Sequence, residues 1–251
     1  MVRNAPRAFF TGTGRKLFGW RPLRPWISYD ATRVIGARLG QHMRVLEFGS
    51  GTSTIWFAER CAEIVSIESD PDWFHRVAAM LAGRRLDNVR LRLATDPACY
   101  ATLAPADIDD GFDLVLIDGE VRHRCVVAAL SLLRPGGAIY LDNADRGQPR
   151  RLGEAEPAVL TGHTPMARRI LLAFADAVGA RTEWFTDFAP TQFFVGTGLL
   201  VTLPNDRAPP ANTVPGAPLP AFSAQPEDEF AYMGQVLAAL TGAERPTAPC
   251  A

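Results

Sequence analysis

The chain has 251 residues, 47% of them hydrophobic and 21% charged, enough to bury one sizeable core without disulfide or metal staples. Lysine and arginine total 26 against 27 acids, so the net charge is -1 and the composition argues against a general polyanion binder such as a DNA- or RNA-binding protein. No apolar run approaches the roughly 18–20 residues of a membrane-spanning helix, and four cysteines without a Cys-x-x-Cys pair suit a reducing, cytoplasmic setting.

Residues 1–27 form a basic, aromatic arm. Arg3, Arg7, Arg15, Lys16, Arg21 and Arg24 occur there without an acid, interleaved with Phe9, Phe10, Phe18, Trp20 and Trp26. Such a segment is either a loosely ordered arm held on the body by its aromatics, or a lid over a site or a contact for an anionic substrate or surface. From 28 to 203 strand and helix signals alternate. Strands are predicted at 44–48, 63–67, 89–93, 112–117 and 138–141, and helices at 52–61, 71–84, 123–133 and 165–178. Pro71 suits a first helical turn, and Arg134-Pro-Gly-Gly is read as the end of the helix before it. Ile170, Leu171, Phe174 and Val178 share one helix face, with Gly179 as the stop. Strands at 182–188 and 193–203 close the domain as an antiparallel pair. The short, uniformly apolar early strands suit a parallel sheet covered on both faces, hence an α/β, doubly wound, Rossmann-like fold. Nine of the 20 prolines fall after residue 203, so 204–225 reads as a linker. A last helix is predicted at 227–240 within a tail of 226–251, with Phe230, Met233, Val236, Leu237 and Leu240 as its apolar stripe and Gly242 as its end.

The informative segment is Val45-Leu-Glu-Phe-Gly-Ser-Gly-Thr-Ser-Thr54, a strand running into a glycine turn that opens a helix. Gly49 and Gly51 let a backbone approach a ligand closely, and the helix start at Ser50, Thr52 and Ser53 offers N–H groups to an anion. Glu68 ends the second strand, where a carboxylate can accept from both hydroxyls of a ribose. A dinucleotide site wants a third glycine where Thr54 stands. Glu47, two residues before Gly49, would repel a pyrophosphate but suit an ammonium. S-adenosylmethionine, with an amino-acid end, a sulfonium and no phosphate, complements this charge pattern better than a nicotinamide dinucleotide.

Four segments occur in order: Glu47-Phe-Gly-Ser-Gly51, Ser66-Ile-Glu68, Phe112-Asp-Leu-Val-Leu-Ile-Asp118 and Leu132-Leu-Arg-Pro-Gly-Gly-Ala-Ile-Tyr-Leu-Asp142. In these the chain resembles the class I S-adenosylmethionine-dependent methyltransferases over residues 28–203, and Trp26-Ile-Ser-Tyr-Asp30, Phe48-Gly-Ser-Gly-Thr-Ser-Thr-Ile-Trp56 and Leu116-Ile-Asp-Gly119 with Leu141-Asp-Asn-Ala-Asp-Arg146 look like a bacterial branch of that superfamily. The resemblance implies a seven-stranded sheet, mostly parallel with the last strand antiparallel, and Asp96 as the acid that contacts the adenine. It also implies a set similar to the metal triad of catechol-type O-methyltransferases, made by Asp118, Asp142 and Asn143. Their hard oxygens suit Mg²⁺, which would hold and acidify a substrate hydroxyl. Asp118 and Asp142 could equally contact cofactor and substrate directly without metal. His123, five residues past Asp118, is a candidate general base or a capping histidine. The function expected is methyl transfer to a small molecule, at a hydroxyl oxygen, with Asp118, His123 and Asp142 as the catalytic candidates. A nicotinamide-dependent oxidoreductase and a non-catalytic binding module are the alternatives, and a homodimer is left open.

Overall fold

The computed structural model describes residues 2–108, 110–147, 163–206 and 226–241. In chain order these form α1 (Ala5–Phe18), α2 (Tyr29–Arg38), β1 (Arg44–Phe48), α3 (Thr52–Ala58), β2 (Glu63–Glu68), α4 (Pro71–Ala82), β3 (Val89–Leu93), α5 (Pro97–Tyr100) and α6 (Pro105–Ile108). Then follow β4 (Phe112–Ile117), α7 (Arg122–Leu130), β5 (Leu133–Leu141), α8 (His163–Val178), β6 (Arg181–Phe188), β7 (Val195–Thr202) and α9 (Pro226–Thr241).

The strands make one seven-stranded sheet in the order β3-β2-β1-β4-β5-β7-β6. The first five run parallel, and β7 inserts antiparallel between β5 and β6. Because strand side chains alternate, each strand feeds both covering layers. Leu46, Phe48, Val115, Ile117, Ile139 and Leu141 pack beneath α7, α8 and α9. Val45, Ile64, Leu114, Leu116 and Tyr140 face α2 and α3 on the other side. This is the Rossmann-like architecture expected. The order reverses between β1 and β4, since β1 leads outward to β2 while β4 leads outward to β5. In open parallel sheets a crevice opens at such a reversal, beyond the carboxyl ends of the strands.

Two expectations need correction. The arm is not loosely ordered: α1 is a regular helix with Pro6 in its first turn and Gly19, in the left-handed region, as its C-cap. A second helix, α2, follows, capped by Ser28, whose hydroxyl accepts from the Ala31 N–H. The Arg134-Pro-Gly-Gly stretch does not stop a helix. It lies inside β5, where a register shift between Phe112 and Leu114 absorbs it, while α7 ends earlier, at Leu130. Most of the expected linker, 207–225, and the expected stop at Gly242 lie outside the described residues, as does the Phe230 side chain. Among the described residues no helix is long and apolar enough to cross a membrane.

Candidate functional site

The crevice at the sheet reversal has a volume of about 780 Å³. It is lined by the ends of β1 (Gly49, Ser50), β2 (Glu68, Ser69, Asp70) and β4 (Asp118, Gly119, Glu120, Val121), with Trp73, Arg122, Arg146, Gly147 and His163–Pro165 as walls. Its lining carries four acidic side chains, Glu68, Asp70, Asp118 and Glu120, against two arginines, Arg122 and Arg146. A cavity of that balance favours a cationic ligand and disfavours a pyrophosphate.

The glycine turn is held from three directions. Gly49, at φ 100°, donates its N–H to the Ile67 carbonyl at 2.9 Å. A Cβ at Gly49 would fall 2.8 Å from the Gly119 nitrogen, so the two turns touch backbone to backbone. Ser50 donates to Glu68 through both its N–H (3.1 Å) and its hydroxyl (2.8 Å). Gly51 donates to the Thr54 hydroxyl at 3.0 Å. All three turn N–H groups are therefore engaged within the protein. The threonine in the third-glycine position serves the turn itself.

Glu68 spans the site floor, its other oxygen accepting from the Ser69 and Asp70 N–H groups at 2.8 and 3.0 Å. Glu47 is fully buried behind the turn. Its Oε2 accepts from Thr54 (2.6 Å) and Ser66 (2.7 Å), while its Oε1 has no hydrogen-bond partner among the described residues. Burial pushes its carboxyl up to about 7, against the pull of those hydroxyls toward the ionised form.

The expected cofactor residues thus divide. Gly49, Ser50, Glu68 and Asp118 line the crevice. Glu47, Gly51, Thr52 and Ser53 stand behind it, and the Thr52 hydroxyl is tied to the Arg24 carbonyl of the arm at 2.8 Å. Asp96 caps α5 through the Ala98 N–H and faces a neighbouring hollow at the end of β3, not the crevice.

At the catalytic edge Asp118 and Asp142 stand at the neighbouring ends of β4 and β5, close enough that each carboxyl acts on the other. Burial, and for Asp142 the neighbouring Asp118 charge, raise both carboxyls. Arg122 pairs with the Asp118 carboxylate at 2.9 Å and donates to the Gly119, Asp118 and Asp142 carbonyls, stitching the ends of β4 and β5 together. The three expected metal ligands each have other neighbours in this structure: Arg122 pairs with Asp118, the Tyr140 hydroxyl donates to Asp142 at 3.2 Å, and the Asn143 amide lies toward Gly196 of β7. Among the described residues no group of three or more His, Cys, Asp or Glu is placed to hold a metal.

His123 is corrected as well. Its ring lies under the surface, with Nε2 3.1 Å from Glu229 of α9 and the ring stacked on His163 at 4.6 Å. It does not line the crevice, and burial lowers it to about 4. His163, at the start of α8, does line it. Trp73 was missed: its indole N–H donates to the Ser50 carbonyl at 2.8 Å and its ring walls the crevice. The available signal was its place in the first turn of α4, five residues past the strand-end acid Glu68.

Residues 46–144 match a family model described as a methyltransferase domain. No curated protein matches the sequence. Among solved structures, a cofactor-bound protein, Rv0187 from MTB, is 24% identical, with a TM-score of 0.56, covering 80% of this chain and 97% of that one. The O-methyltransferase TomG from Streptomyces achromogenes, involved in tomaymycin synthesis and solved with S-adenosylmethionine, is 20% identical with a TM-score of 0.54, covering 78% and 89%. An rRNA methylase from Streptococcus thermophilus is 10% identical with a TM-score of 0.52, covering 74% and 98%. Identities this low establish a common fold and leave the acceptor to the site itself.

Proposed function

We propose that this chain, a class I S-adenosylmethionine-dependent methyltransferase by fold, transfers a methyl group to a hydroxyl of a small molecule bound over Asp118. The observation that carries the reading is the crevice's charge and wiring. Acids ring it, and the N–H groups of Gly49, Ser50 and Gly51 are already spent inside the protein. A dinucleotide needs such donors for its pyrophosphate, whereas a sulfonium nucleoside with an ammonium end needs the acids.

Glu68 and Ser50 would hold the ribose, and Glu47, buried behind the glycine turn, would favour the ammonium side of the amino-acid end from behind that turn, through its charge. When bound, S-adenosylmethionine supplies an electrophilic methyl group. Asp118, which lines the crevice, would take the acceptor's hydroxyl proton, its basicity raised by burial. Arg122 fixes that carboxylate's direction, and Trp73 narrows the wall. As the acceptor oxygen took the methyl, its proton would pass to Asp118. Holding the acceptor in line supplies much of the rate, because the step is a single displacement.

Calorimetric titration with S-adenosylmethionine tests the reading. Wild type should bind it and ignore NADH, and Glu68→Gln should weaken binding by about tenfold to a hundredfold, as for the loss of charged hydrogen bonds. Transfer of labelled methyl to a panel of phenols and sugars then identifies the acceptor. NADH binding with indifference to S-adenosylmethionine would reject the assignment.

A further inference from the structure

Helix α1 is built inside out. Its seat on the body is small and polar: Asn4, Ala8, Thr11 and Gly12 are buried, at one-face spacing. Asn4 donates to Asp187 at 2.5 Å, while the Thr11 hydroxyl accepts from the Thr191 N–H at 2.9 Å and lies 3.2 Å from the Tyr29 hydroxyl. The outward face carries Phe9 (67% exposed), Phe10 (71%) and Leu17 (66%), with Phe18 (81%) at its end. The turn between β6 and β7 extends this surface. Phe193 lies over Gly12 and meets Phe9 edge to face at 6.2 Å, and Phe194 is 62% exposed beside it in sequence. Exposed rings at this density mark an interaction surface.

The charge around the patch identifies its partner. Helical geometry sets Arg7 and Lys16 on the two flanks of the apolar face, and the first 29 residues hold six cations and no acid. An apolar face edged by cations fits a surface that is oily within and anionic at its rim. A second copy of the chain fits poorly. A two-fold contact through this face would set the same unneutralised cations against each other. We propose that the outer face of α1, together with Phe193 and Phe194, seats the protein on an anionic lipid bilayer, with the helix lying in the headgroup plane.

The full chain should be sedimented with unilamellar vesicles of phosphatidylcholine, alone or with about a quarter phosphatidylglycerol. Binding should rise about tenfold or more with the anionic lipid and fall as salt goes from about 0.1 to about 0.5 M. Phe10→Ser with Leu17→Ser should lower partitioning by about tenfold or more while circular dichroism and the melting profile stay unchanged. Arg7→Glu with Lys16→Glu should remove the preference for anionic vesicles while leaving the apolar face intact. Equal sedimentation with both lipids, or binding indifferent to both double variants, would overturn the proposal. So would a wild-type dimer in analytical ultracentrifugation that Phe10→Ser with Leu17→Ser dissociates while vesicles bind neither protein.

Discussion

Replacing Glu47 by glutamine should stabilise the protein at alkaline pH and weaken its grip on S-adenosylmethionine. The carboxylate has no exposure, one oxygen with two hydroxyl donors and one with none. Its rise from an ordinary 4.5 to about 7 in the folded state corresponds to about 3 kcal/mol. Because the folded value lies above the unfolded one, the native state holds the extra proton between pH 4.5 and about 7. Stability from this group is therefore complete below 4.5, falls as pH rises through that window, and is fully lost above about 7. Glutamine stays neutral throughout and still offers an oxygen to Thr54 and Ser66. Urea denaturation of both proteins from about pH 5 to about pH 8 should show the variant's advantage growing with pH toward about 3 kcal/mol. Titration with S-adenosylmethionine should show affinity lowered by about tenfold to a hundredfold. Parallel stability profiles, or an advantage that shrinks toward alkaline pH, would refute the buried-acid argument; unchanged affinity would remove Glu47 from the cofactor's surroundings.

Asp118→Asn should lower kcat by about a hundredfold or more while leaving the affinity for S-adenosylmethionine within about threefold, measured by single-turnover transfer and calorimetry. His123→Gln should leave neutral-pH turnover within about twofold, since the ring is turned away from the crevice. His123 is held near 4, below its ordinary 6.5, by burial. Its contribution to stability is thus present above 6.5 and lost as pH falls toward 4, and the variant should flatten that acid limb in denaturation profiles. Gly49→Ala sets a Cβ 2.8 Å from the Gly119 nitrogen at a φ of 100° and should cost about 3 kcal/mol or more in urea denaturation.

What could be read from the sequence was what local spacing encodes. The strand, glycine turn and helix around Glu47–Thr54, and Glu68 closing the next strand, are short-range patterns, and they fall where expected. The apolar stripe Ile170, Leu171, Phe174 and Val178 likewise packs inward. The arm was misjudged because α1 reverses the usual rule: its apolar residues face out, and the buried side offers only Asn4, Ala8, Thr11 and Gly12. Pro135 and the following glycines were taken as punctuation, yet a register shift lets β5 run through them. His123 stood close to Asp118 in sequence, but its orientation is decided by Glu229, 106 positions away. Arg122 stands four residues past Asp118, and nothing local shows that it folds back onto the Asp118 and Asp142 carbonyls. Long-range partners of that kind separate a plausible triad from an actual one.

The contact between Gly49 and Gly119 leaves no slack between the first and fourth strand ends, because Asp118 also donates its N–H to the Phe48 carbonyl at 2.9 Å. The two turns therefore behave as a single mechanical part. Grafting a foreign nucleoside-binding loop onto this scaffold without its matching partner would wedge the strands apart, so redesign of ligand preference has to exchange both turns together.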